Sequence, residues 1–181
     1  MRTDEDIMKA VANGDLQQLG ELYQRYRRPI YGFLLKRVNA PATAEDLLQT
    51  TFERVIKYRG SFRKGNTFRS WLFTIARNAM HDGLKRESRI PIKNGVEIGS
   101  LALLTPSAES EWERRETANQ SKAALAALSD TYREVVDLAW KRGLKYAEIG
   151  EVLGISEANV KVRIHRATKQ LRVNYAKLNQ Q

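Results

Sequence analysis

Apolar positions recur at helical spacing along most of this chain, and strand-like alternation is scarce. Thr3, with Asp6 three residues later, forms a capping-box pattern that opens a helix, and Gly14 closes it. Asp15 is placed to cap the next helix, whose stripe is Leu16, Leu19, Tyr23, Tyr26, Ile30, Phe33 and Leu34. Pro29 lies within that stripe and should bend the helix, because it lacks a donor and its ring crowds the preceding turn. Thr43 with Asp46 repeats the capping pattern before a helix that ends near Gly60 and buries Leu48, Phe52 and Val55. Thr67 starts a helix carrying Phe68, Trp71, Leu72, Ile75 and Ala79 on one side. Gly83 is expected to weaken its last turns by roughly 1 kcal/mol relative to alanine.

From Pro91 to Ala108 the period dissolves into Pro, Gly, Asn and Ser, with Leu101, Leu103 and Leu104 as apolar exceptions. Helical spacing returns near Glu109. Ser129-Asp130 then caps a helix with Tyr132, Val135, Val136, Leu138 and Ala139, closed by Gly143. Tyr146 to Leu153 reads as a short helix stopped by Gly154, followed by an apolar turn residue, Ile155. Ser156 caps a last helix running to Leu171, with Val160, Ile164, Ala167 and Leu171 facing the core. The pattern predicts an all-α fold of two small helical domains, residues 1–90 and 109–181, joined by a flexible linker at 91–108. Fully extended, that linker reaches about 60 Å.

Charge sharpens this picture. The chain has 181 residues and a formal net charge of +10, which favours a polyanionic partner. Residues 1–90 carry +7, residues 91–117 carry −2 and residues 118–181 carry +5, so two basic blocks flank an acidic middle. The absence of cysteine excludes disulfides and thiolate metal sites, and two histidines exclude a histidine-rich one. With no long apolar run and a polar, acidic start, the chain is expected to be soluble and intracellular, without membrane insertion.

Three surfaces carry candidate chemistry. The last helix turns Lys161, Arg163, Arg166, Lys169 and Arg172 away from its core stripe, with no acid after Glu157. Preceded by a short helix and a glycine turn, it has the form of a helix-turn-helix reader for the DNA major groove. Between Tyr58 and Trp71 cations, aromatics and small residues interleave, the mixture that holds phosphates and stacks exposed bases. Asn66 and Asn78 add amides able to bond a base edge. Phe68, Trp71 and Ile75 also lie on the buried stripe, so packing competes with DNA contact there. On the helix around 44–56, Glu45, Asp46, Gln49 and Glu53 gather opposite the core stripe. That acidic patch suits either a basic protein surface or plain solvation.

The motifs Ala44-Glu45-Asp46-Leu47-Leu48-Gln49-Thr50-Thr51-Phe52, Phe68-Arg69-Ser70-Trp71-Leu72-Phe73-Thr74-Ile75-Ala76-Arg77-Asn78 and Asn159-Val160-Lys161-Val162-Arg163-Ile164-His165-Arg166-Ala167 occur in that order. Together they resemble the extracytoplasmic-function (ECF) sigma factors of bacterial RNA polymerase. The resemblance covers nearly the whole chain. It implies a cytoplasmic promoter-specificity subunit with no enzymatic activity, cofactor, metal or small-molecule substrate. Glu45, Asp46, Gln49 and Phe52 would dock on the clamp helices of the polymerase's largest subunit. Phe62, Arg63, Lys64, Gly65, Asn66 and Thr67 would capture a flipped base of the −10 element, with Trp71 and Asn78 helping to separate the strands. Ser156, Glu157, Asn159, Lys161, Arg163 and Arg166 would read the −35 element as duplex. The implied partners are core RNA polymerase, through clamp helices and flap, promoter DNA and, in many relatives, an anti-sigma factor. The linker would thread into the polymerase.

Gly150 stands where the family commonly has alanine, and should loosen its helix. Asn159 and Val162 replace the more usual hydroxyl residues, which should alter sequence preference. The alternative is a stand-alone helix-turn-helix regulator, but such a protein has no need of the 44–56 helix and the aromatic loop after it. Nucleic-acid chemistry through His81 and Asp82 is disfavoured, since the two point about 100° apart with no phosphate-binding loop beside them.

Overall fold

Thr3 opens the first helix, α1 (Asp4–Ala12): its hydroxyl accepts from the Asp6 amide at 3.2 Å and donates to the Asp6 carboxylate at 2.8 Å. Those bonds, with Lys9 at 3.3 Å, hold the Asp6 carboxyl below the usual range. The computed structural model describes residues 2–63, 65–87 and 119–178, and every regular element among them is helical. The connector at 91–108, along with Lys64, lies outside the described residues. The helices belong to two compact units, one N-terminal and one C-terminal.

In the N-terminal unit, Gly14 turns the chain with φ of 108°. Asp15 then departs from expectation. Its side chain makes no capping bond, and a 3₁₀ turn at Leu16–Gln18 leaves Leu16 45% exposed. Helix α2 (Leu19–Val38) buries Leu19, Leu22, Tyr26, Ile30, Phe33 and Leu34, so Leu22 replaces Leu16 in the stripe. The helix continues through Pro29. An interior proline costs about 3 kcal/mol. Ile30, Phe33 and Leu34 are each fully buried just beyond it. At about 1.5–3 kcal/mol per side chain, their burial exceeds that cost. Asn39 ends α2 in the left-handed conformation, φ 56°.

Helix α3 (Pro41–Tyr58) begins earlier than the Thr43–Asp46 pattern predicts, and its N-cap Ala40 provides no side-chain bond. Pro41 does the starting: its φ is already helical and the donor it lacks would have had no intrahelical acceptor. A 3₁₀ turn, Arg59–Ser61, follows α3. Helix α4 (Phe68–Glu87) starts at Thr67, whose hydroxyl accepts from the Ser70 amide at 3.2 Å. Helices α2, α3 and α4 pack mutually, and α1 lies against α2 and α4. The Phe33 and Phe73 rings meet edge to face at 5.2 Å, and the Arg37 guanidinium sits 3.9 Å over Phe33. At Gly83 a Cβ would come within 3.2 Å of the Leu47 side chain, which would have to shift by a few tenths of an ångström to admit it.

In the C-terminal unit a helix at 119–126 (α5) precedes α6 (Asp130–Val136). The Arg133 guanidinium donates to the carbonyls of Ala126 and Leu128 at 2.7 and 2.8 Å, closing the end of α5. Ser129 caps α6 through the Tyr132 amide. The sequence pattern gives no sign that α6 then widens into a π turn, Asp137–Lys141. Asp137 is buried there, with Arg142 at 3.3 Å. Helix α7 (Tyr146–Leu153) ends at Gly154, φ 67°, and Ser156 caps α8 (Glu157–Leu178) by accepting from the Asn159 amide at 3.2 Å. Helix α8 runs past Leu171 to Leu178, tied back where the Asn174 amide donates to the Ala124 carbonyl at 3.1 Å. Gly150 also lies at a close approach that the sequence does not show. A Cβ there would stand 2.7 Å from the Ile155 backbone oxygen, so the glycine allows the tight helix-turn-helix crossing.

Candidate nucleic-acid and partner interfaces

The two faces of α3 separate cleanly. Ala44, Leu47, Leu48, Thr51, Phe52 and Val55 are buried, while Glu45, Asp46, Gln49 and Glu53 are exposed. Phe52 is 7% exposed, and its ring meets Tyr23 edge to face at 4.9 Å. It can therefore serve a docking surface only by fixing α3 beneath it. Three carboxylates and an amide remain on the outer side.

Next along the chain, the loop between α3 and α4 is built around aromatic contacts. The Phe62 ring packs edge to face on Trp71 at 5.4 Å and on Phe68 at 6.3 Å, and Phe68 in turn meets Tyr26 at 5.3 Å. Phe68 is fully buried, whereas Phe62 and Trp71 are half-buried. Arg63, Gly65 and Asn66 stand exposed, with Gly65 at φ 108° making the turn. Thr67 is occupied as the α4 cap. Phe62 thus begins as part of a clasp, and among the described loop residues the freely presented side chains are Arg63 and Asn66.

Asn78 is exposed one face away, lining a cleft of about 600 Å³ with Arg54, Tyr58, Ile75, Arg77, His81, Asp82 and Lys85. Arg54 donates to the Asp82 carboxylate at 2.8 Å across the cleft floor. That pairing occupies the carboxylate a His81–Asp82 chemistry would need. The cleft is mainly cationic and Asn78 sits among these cations, apart from the Asn66 loop.

On α8, Val160, Ile164 and Ala167 are buried and Leu171 is half-buried. Glu157, Asn159, Lys161 and Arg166 are exposed, Arg163 is half-buried, and the exposed Ser156 spends its oxygen on the cap. Glu157 pairs with Lys161 at 2.9 Å, one helical turn on. An exposed pair of this kind contributes about 0.3–0.5 kcal/mol, so either group is cheaply released to a base or phosphate. Val162 and Val173 stay exposed on the same helix, an apolar element the charge pattern did not single out. The sequence reading also missed Glu5, whose carboxylate accepts from the Phe68 amide at 3.0 Å.

Residues 22–90 match sigma-70 region 2 and residues 124–173 match sigma-70 region 4. The chain is 34% identical to the RNA polymerase sigma factor CarQ of Myxococcus xanthus over 166 residues, 91% of this chain and 93% of that protein. It is equally 34% identical to the ECF RNA polymerase sigma factor SigM of Bacillus subtilis over 160 residues, 87% and 94% of the two chains. The sigma factor RpoE, solved with the anti-sigma factor NepR from Bartonella quintana, is similar with a TM-score of 0.65 and 25% identity, covering 87% of this chain and 96% of that one. CnrH, solved with the cytosolic domain of CnrY, shares the fold with a TM-score of 0.67 at 24% identity, covering 94% and 95%.

Two helical units matched to regions 2 and 4 define a sigma-type transcription initiation factor. Within that class, the chain belongs to the ECF sigma factors of bacterial RNA polymerase. It directs promoter-specific initiation and is not an enzyme. No described helix is long and apolar enough to cross a membrane.

Proposed function

We propose that the outer face of α3 attaches this sigma factor to the clamp helices of the polymerase while its two units read opposite ends of one promoter. The observation that carries this reading is the sign of charge on the exposed faces. Glu45, Asp46 and Glu53 form an acidic surface in a chain of net charge +10, whereas α8 presents Lys161, Arg163, Arg166, Lys169 and Arg172. DNA repels the first and attracts the second. A basic protein surface suits the α3 face.

In this reading Arg63 and Asn66, with Lys64 between them, take a flipped base of the −10 element. Trp71 and Asn78 hold the opened strands. Base-pair opening is offset by capture of the extruded base. Glu157, Asn159, Arg163 and Arg166 contact base edges of the −35 duplex, and Ser156 and Lys161 contact phosphate. Anchoring both readers on one polymerase raises the effective concentration of each for its own site. The clamp helices and flap of core polymerase are its protein partners, and it acts in the bacterial cytoplasm. By analogy with RpoE and NepR, an anti-sigma protein is a further partner class for this chain.

The test for the −35 reader uses duplexes that the unaltered factor, bound to core polymerase, selects from a random pool. Arg166→Ala is expected to weaken binding by about 1–3 kcal/mol and to relax preference at one base pair. Uniform weakening at every position would reassign Arg166 to phosphate. Unchanged affinity would remove it from the interface.

A further inference from the structure

We propose that Asp4 and Glu5, at the start of α1, are positioning residues for the base-capture loop; this rests on the reading of residues 62–67 as that loop. Both lie before the residues 22–90 matched to region 2. They nevertheless fix the two ends of the aromatic clasp from which the loop springs.

The Phe68 amide opens α4 and has no acceptor within its own helix. Glu5, 63 residues away in sequence, supplies one at 3.0 Å. Its negative charge also sits at the positive end of the α4 dipole. Thr67 accepts from the Ser70 amide at 3.2 Å, so two first-turn amides of α4, those of Phe68 and Ser70, are held by separate acceptors. Asp4 works one ring further back. Its carboxylate accepts from both the Tyr26 hydroxyl and Arg25, and Arg25 also reaches Glu21. Tyr26 stacks its edge against Phe68, which carries Phe62 and Trp71. Burial, and then the bond to Asp4, push the Tyr26 phenol well above its ordinary value, so it remains a donor.

The result is two parallel tethers from adjacent residues of α1. One holds the backbone where the loop enters α4, and the other holds the ring beneath the clasp. Helix α1 also touches the 3₁₀ turn at Arg59–Ser61, where the loop begins. Between these anchors Arg63, Gly65 and Asn66 are exposed, with the Asn66 amide donating to the Arg63 carbonyl at 3.3 Å. A carboxylate that holds only the fold would affect every DNA alike. One that aims the loop would affect only DNA carrying the captured base.

The experiment uses the full chain bound to core polymerase and single-stranded oligonucleotides spanning the opened non-template strand of a promoter the factor selects. A matched series replaces each −10 base in turn by an abasic site. The parent is compared with Glu5→Ala, Glu5→Gln and, as a loop control, Asn66→Ala. We expect Glu5→Ala to weaken the intact oligonucleotide about tenfold while leaving affinity for one abasic oligonucleotide unchanged. Glu5→Gln, which keeps an acceptor oxygen, should recover most of the loss. Equal weakening on intact and abasic strands would overturn the proposal in favour of a purely structural role. So would normal binding by Glu5→Ala when Asn66→Ala weakens selectively, which leaves the loop reading standing. If neither variant separates intact from abasic strands, the loop reading fails and the proposal fails with it.

Discussion

Asp46→Arg is expected to abolish association with core polymerase while leaving helix content intact. Asp46 is exposed in the middle of α3, between Glu45 and Gln49 on the outward face, and its neighbours Leu47 and Leu48 do the burying. Reversing an exposed charge away from any cap or network usually changes stability by about 0.5 kcal/mol or less. At an interface the same change replaces attraction with repulsion against a basic partner. Losing one partner of a desolvated pair already costs about 2–5 kcal/mol, or roughly 30-fold to several thousand-fold in affinity. Far-ultraviolet circular dichroism and co-elution with core enzyme check the two halves. Normal co-elution would move the docking site off this face.

Phe68→Ala should produce the largest loss of stability, about 3–5 kcal/mol, because truncating a buried aromatic removes its transfer free energy and leaves a cavity. Phe68 is fully buried and its ring centroid lies 5.3, 6.1 and 6.3 Å from those of Tyr26, Trp71 and Phe62. It is the shared support of the clasp. Urea unfolding should show the shift in midpoint, and Trp71 emission should move to the red as its neighbours lose order. A loss below about 1 kcal/mol would mean the clasp is held elsewhere.

Much of this was readable from local pattern. Stripes such as Ile30–Phe33–Leu34 and Val160–Ile164–Ala167 give helices because one face must leave water, and caps at Thr3, Thr67, Ser129 and Ser156 mark where they start. Local pattern fails where a competing local device or a distant contact decides. Pro41 pre-empts Thr43, since a residue with φ already helical starts α3 first. The π turn at Asp137–Lys141 occurs where Asp137 is buried beside Arg142, a pairing that periodicity does not encode. Gly83 and Gly150 read as weak points in sequence; that they also sit at close approaches is visible only once Leu47 and the Ile155 carbonyl are placed. At the candidate site, the outward acids of α3 and cations of α8 were legible as charge opposite a stripe. Glu5 was not, because its partner lies 63 residues on and nothing in the pattern of its own helix singles it out.

The central claim is that two small readers, carried on one polymerase through α3, select promoters together. In vitro transcription with purified sigma-free core enzyme, followed by mapping of start sites on a pooled genomic template, tests it most directly. The account predicts initiation at a discrete set of sites that share two sequence elements at a fixed spacing, lost with Asp46→Arg. Initiation no different from core enzyme alone, or unaffected by Asp46→Arg, would contradict it.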